Sequence, residues 1–189
     1  MAREQVELPP PESWSDFDEF YRSSDKKIMR FVMRLGGTLQ EAEDAMQEAM
    51  TAVYGAWDRM THPGAYARVV AERRYLASAA RYRREQEKLG LADWAIPVPA
   101  RDPDAVIFAE EARQVLTAIR SLPYEQRRIL AWSLDGYSTK EIAAALEKPE
   151  ATIRSNLRHA RDKVKQLFEQ TKVHSTSAGR RANDERPGR

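Results

Sequence analysis

Apolar side chains in this chain recur every three or four positions through two long blocks, and nowhere alternate with period two over a useful length. A period near 3.6 places them on one face of a helix, whereas a half-buried strand needs every second residue. The expectation is an all-α protein of two small helical domains joined by a flexible linker. The break falls at residues 85–104, where Pro97, Pro99 and Pro103 stand among Asp93, Asp102 and Asp104 and the helical period is lost. Leu89, Leu91, Trp94 and Ile96 of this stretch are apolar residues able to dock on a neighbouring surface.

In the first block, Phe17, Phe20, Tyr21, Ile28, Phe31, Val32 and Leu35 form a stripe that opens near Ser15 and ends at Gly36-Gly37. Thr38 followed three residues later by Glu41 is a capping box, which starts a second helix carrying Ala42, Ala45, Met46, Ala49, Val53 and Trp57. His62-Pro63-Gly64 reads as a turn, and a third helix is expected over 65–84 with Tyr66, Val69, Val70, Leu76 and Ala80 on its apolar side. Residues 1–13 carry three consecutive prolines and no period, and read as a disordered lead-in.

The second block opens with Val106, Ala109, Ala112, Val115, Leu116, Ile119 and Leu122, and Pro123 stops it. Three shorter helices follow, over 124–134, 139–146 and 150–168, and the basic, unpatterned residues 171–189 read as a disordered tail. The segment 138–157 has the layout of a helix-turn-helix. Ser138 or Thr139 caps its first helix, Ile142 and Leu146 face the core, and Ala143 leaves room for a close crossing. Its second helix buries Ile153, Leu157, Ala160, Val164 and Leu167 while the other side presents Arg154, Ser155, Arg158, Arg161 and Lys165. A helix fits the major groove, where arginine reads guanine edges or holds phosphates. The turn position suited to glycine is Glu147, and the next position, usually apolar, is Lys148, so a looser turn is expected.

Charge is distributed unevenly. Residues 61–90 carry a net +4 and residues 91–112 a net −4, so two basic stretches flank an acidic one, as two contact surfaces for a polyanion would. The chain has no cysteine, and His62, His159 and His174 are scattered, so neither a disulfide framework nor a zinc site is expected. No apolar run approaches the roughly 20 residues that span a bilayer. Without an amino-terminal apolar stretch either, the expectation is a cytoplasmic protein with no membrane insertion.

The segment 36–57, with Ala42-Glu43-Asp44, then Gln47-Glu48, then Trp57, resembles region 2 of bacterial RNA polymerase sigma factors of the extracytoplasmic-function (ECF) group within the sigma-70 family. Residues 65–84, ending in Arg83-Arg84, are similar to that family's −10-binding helix. Leu122-Pro123, Arg127-Arg128, the helix-turn-helix and Arg158-His159-Ala160-Arg161 resemble its region 4. The resemblance covers residues 14–84 and 105–170 in the family's order. It implies a region 2 helical bundle whose Asp44, Gln47 and Glu48 grip a basic coiled coil on the largest subunit of core RNA polymerase. It also implies a helix whose Arg68, Arg73, Arg74, Tyr75, Arg81, Tyr82, Arg83 and Arg84 hold the −10 strand. Thr139, Lys140, Thr152, Arg154, Ser155, Arg158 and Arg161 would meet the −35 duplex, with the polymerase flap against the apolar side of region 4 and an anti-sigma factor as a further class of partner. The pattern of cations and aromatics on the third helix fits such a role, since cations follow a single strand's backbone while aromatic faces receive unstacked bases.

The residues leave other readings open at this point. A helix-turn-helix regulator acting without polymerase would bind duplex DNA as a symmetric dimer, and a helical protein-interaction adaptor would use the arginines as solvated decoration. Catalysis and a bound metal or other cofactor are not expected. A carboxylate bundle site wants Glu-x-x-His on inward faces, and no histidine precedes position 62.

Overall fold

The computed structural model describes residues 11–88 and 110–184. The chain divides into two compact units, 1–104 and 105–189. Among the described residues every regular element is helical.

The first unit contains α1 (Pro11–Leu35), α2 (Leu39–Tyr54), a 3-10 turn (Trp57–Arg59) and α3 (Pro63–Lys88). At the start of α2 the capping box forms: the Glu41 N–H donates to Thr38 Oγ1 at 3.2 Å and the Thr38 N–H donates to Glu41 Oε2 at 2.8 Å. At the end of α1 the Gly37 N–H donates to the Val32 carbonyl at 3.1 Å. That closure needs a left-handed residue, which Gly36 supplies at φ 113°. Ile28, Phe31, Val32 and Leu35 of α1 interlock with Ala42, Ala45, Ala49 and Val53 of α2, all fully buried. At one end Phe17 meets Tyr54 and Trp57 edge-on at ring separations of 5.0 and 5.3 Å, and Phe20 also packs on Trp57.

On α3 the buried side differs from the expected one. The residues turned inward are Ala67, Arg68, Ala71, Glu72 and Tyr75, whereas Tyr66 and Leu76 keep 42 % and 41 % of their surface exposed. The helix packs against both α2 and α1, and close approach of backbones favours alanine at the crossing over larger side chains. The spacing 67, 71, 75 is itself a helical stripe, and it outranks the bulkier set. α1 begins at Pro11, inside the stretch 1–13 expected as a disordered lead-in, because proline is tolerated in a helix's first turn, and α3 runs through residues 85–88 expected in the linker. Residues 1–10 and 89–109, which include the rest of that linker and the start of the second periodic block, lie outside the described residues.

The second unit contains α4 (Glu110–Arg120), α5 (Tyr124–Leu134), α6 (Thr139–Leu146) and α7 (Glu150–Asp184). Ile129 and the fully buried Trp132 of α5 sit with Ile142, Ile153 and Ala160 at the centre. Trp132 packs edge-on to Tyr137 at 4.9 Å. Ser138 is the cap of α6, in a second capping box with Glu141. The turn between α6 and α7 is closed rather than loose. Glu147 takes the left-handed conformation at φ 52°, and the Lys148 N–H donates to the Ala143 carbonyl at 3.0 Å. Lys148, where an apolar residue is usual, instead pairs with the Glu125 carboxylate of α5. The backbone of α7 continues past Phe168 to Asp184, so residues 171–184 are helical where a disordered tail is expected. Extending an existing helix needs no new nucleation, and the next proline is Pro187. The lack of an apolar stripe beyond Leu167 removed the signal, not the helix.

Candidate nucleic-acid interface

Ile153, Leu157 and Ala160 anchor one side of α7 in the core, which obliges positions 154, 155, 158 and 161 to face away. Arg154, Ser155, Arg158 and Arg161 are accordingly exposed, as are Lys140 and Thr152. Their guanidiniums are held lightly. Arg154 Nη1 lies 4.0 Å from Glu150 Oε1, Arg158 Nε lies 3.8 Å from Asp162 Oδ2, and Arg161 Nη2 donates to Ser133 Oγ at 3.2 Å. Exposed ion pairs of this kind are worth about 0–1 kcal/mol, so a phosphate or a guanine edge displaces them at little cost. Thr139 is placed differently: its hydroxyl donates to Glu150 Oε1 at 2.8 Å, across the turn, rather than outward. Glu150, which sequence reasoning passed over, thus sits between Thr139 and Arg154. Its helix-opening position was the signal available.

On α3 the expected set divides. Arg73, Arg81, Tyr82, Arg83 and Arg84 are exposed, with Tyr82 at 51 %. Arg68 and Tyr75 are corrected to core residues. Arg68 retains 4 % exposure, its Nη1 donates to the Gly64 carbonyl at 2.8 Å, and its guanidinium lies 5.9 Å from the Phe31 ring centroid. Tyr75 retains 7 %, with its hydroxyl 3.4 Å from the Leu35 carbonyl. Neither is available to a strand, because both side chains are buried within the bundle. Tyr66, Leu76 and Tyr82 are instead the large apolar groups that α3 offers to solvent.

Asp44, Gln47 and Glu48 share one exposed edge of α2, opposite Ala42, Ala45 and Ala49. Gln40 Nε2 donates to Asp44 Oδ1 at 3.2 Å, steadying one carboxylate. Glu48 Oε2 accepts from Arg74 Nε at 3.1 Å, so the acidic edge of α2 and the basic face of α3 meet at one ion pair. Among the described residues no group of three or more acidic, histidine or cysteine side chains is arranged to hold a metal ion, and no helix is long and apolar enough to cross a membrane.

Residues 20–86 match the family model described as sigma-70 region 2, and residues 112–164 match that of sigma-70, region 4. The chain is 27 % identical over 153 residues to the ECF RNA polymerase sigma factor SigM of Mycobacterium tuberculosis, covering 80 % of this chain and 76 % of that one. It is 27 % identical over 169 residues to the ECF RNA polymerase sigma factor SigE of Mycolicibacterium smegmatis, covering 86 % and 63 %. Among solved structures, the sigma factor RpoE of Bartonella quintana, crystallised with the anti-sigma factor NepR, superposes with a TM-score of 0.66. That match has 20 % identity and covers 82 % of this chain and 97 % of that one.

Proposed function

Because the chain belongs to the sigma-70 family, as an RNA polymerase sigma factor of the extracytoplasmic-function type, we propose that its two helical units divide promoter recognition between them. The protein acts with core RNA polymerase in promoter-specific transcription initiation. In the proposed division, residues 14–84 form region 2 and residues 105–170 region 4. Asp44, Gln47 and Glu48 dock on the polymerase's largest-subunit coiled coil, and complementary charge orients that encounter. Arg73, Arg81, Tyr82, Arg83 and Arg84 follow the non-template strand of the −10 element, with Tyr66 and Leu76 beside them as apolar surfaces for unstacked bases. Arg154, Ser155 and Arg158 enter the −35 major groove on α7, flanked by Lys140, Thr152 and Arg161. The flap meets the apolar side of region 4.

One observation carries this reading: two separate helical units, matching regions 2 and 4 in that order, each turn a row of arginines away from their core. A regulator working without polymerase leaves the first unit idle. Chemistry stays with the polymerase, the chain acts where polymerase and DNA lie in the cytoplasm, and an anti-sigma factor is a further partner, as one is for the RpoE relative. Asp44→Arg combined with Glu48→Arg tests the docking edge. Reconstitution with core polymerase is expected to lose holoenzyme while the second unit stays folded; co-purification at the unsubstituted level overturns the assignment of that edge.

A further inference from the structure

Groups from α6 and α7 converge on one carboxylate at the head of α7. The Oε1 atom of Glu150 accepts from the Thr139 hydroxyl at 2.8 Å and lies 4.0 Å from Arg154 Nη1. Thr139 opens α6, and Glu150 opens α7. The carboxylate is therefore held from the neighbouring helix before it meets the arginine one turn further on. The first residues of a recognition helix are the ones that approach base edges. An acidic group there suits the positive end of the helix but is unfavourable for phosphate contact.

We propose that Glu150 is a positioning residue for −35 specificity: fixed by Thr139, it aims the Arg154 fork into the groove and weakens binding to DNA of the wrong sequence. The inference rests on the reading of α7 as the −35 helix. Arginine reads guanine through two parallel donors, so its plane must be set as well as its position. A long exposed side chain samples many rotamers, and an anchored negative charge at one side narrows them. The same charge repels phosphates, so non-specific contacts, which are mostly electrostatic, lose more than a correct base pairing does.

Holoenzyme made from the full chain and core polymerase supplies the test, on promoter duplexes whose −35 element has first been mapped by run-off transcription. The readout is the ratio of affinities for the mapped element and for a scrambled one at fixed salt. Glu150→Gln keeps an oxygen for Thr139 and removes the charge, so the melting temperature falls only slightly, by the lost interaction with the helix dipole. The ratio is expected to fall about twofold, the scale of an i,i+4 charge pair on a helix, with tighter binding to the scrambled duplex. Thr139→Val moves the ratio the same way, and Thr139→Ser restores it. In an Arg154→Ala background, Glu150→Gln still tightens binding to both duplexes by relieving phosphate repulsion, but it lowers their ratio less than it does beside Arg154. The inference is overturned if Arg154→Ala lowers the ratio but Glu150→Gln does not. It is equally overturned if Glu150→Gln acts as strongly without Arg154, which would make Glu150 a direct reader of a base. If Arg154→Ala itself leaves the ratio unchanged, the assignment of α7 to the −35 element fails instead.

Discussion

Helices α3 and α7 are both long and rich in arginine, yet they spend their cations in opposite ways. On α7 the aliphatic residues Ile153 and Leu157 take the core with Ala160, and every arginine from 154 to 161 stays outside. On α3 the core takes Ala67 and Ala71, and with them Arg68, Glu72 and Tyr75. A helix with bulky aliphatics on one side sorts its own faces. A helix whose apolar residues are small or scattered is sorted by its neighbours, because the crossing distance decides what fits.

Arg68→Ala probes that contrast with the largest expected effect. Its loss removes a buried charge from the Gly64 carbonyl and from the Phe31 ring, so the first unit should lose about 2–4 kcal/mol in chemical denaturation. Unchanged stability with weaker strand binding would return Arg68 to the DNA-facing set. The converse experiment on α7 replaces Arg154 and Arg158 with alanine. Stability should move by less than about 0.5 kcal/mol. Initiation from a −35-dependent promoter should fall at least about tenfold, since each good base contact discriminates by about 1–3 kcal/mol. Loss of polymerase binding in that variant would contradict the division of labour.

Both units close helices on left-handed residues, Gly36 in the first and Gly136 and Glu147 in the second, and Glu147 alone of these is not a glycine. Exchanging the residues sharpens this pairing. Gly36→Glu should cost about 1–2 kcal/mol, and Glu147→Gly should raise the stability of the second unit by about 0.5–1 kcal/mol, both read by thermal melting. Glu147 carries the left-handed conformation without glycine's freedom, while its neighbour Lys148 pairs with Glu125. The smallest effect belongs to Glu48 and Arg74. A double-mutant cycle on their alanine variants should give a coupling of about 0.2–1 kcal/mol, as for other exposed pairs, that shrinks with added salt. A coupling independent of salt would mean the contact is buried more deeply than its exposure indicates.

Much of the candidate site was legible before any coordinates. The acidic edge of α2 follows from residues 44, 47 and 48 at helical spacing beside a capping box that sets the helix phase. The outer face of α7 follows from Ile153, Leu157 and Ala160. What escaped was of two kinds. Arg68 and Tyr75 carry the residue types of a strand-binding face, and chemical type does not report which way a helix is turned. Glu150 accepts a hydrogen bond from Thr139, eleven positions earlier, and contact across a turn leaves no periodic trace.

By itself the sequence determined the helical class, the two blocks, the cap at Thr38, a cap at Ser138 or Thr139 and the order of the two units. These depend on local periodicity and on hydrogen bonds within a few residues, which the chain order specifies directly. Tertiary structure alone decided the rotation of α3, the closure of the turn at Glu147 and the joining of Glu48 to Arg74 and of Thr139 to Glu150. Each of those depends on how closely two helices approach, and that distance is set by the side chains of both partners together.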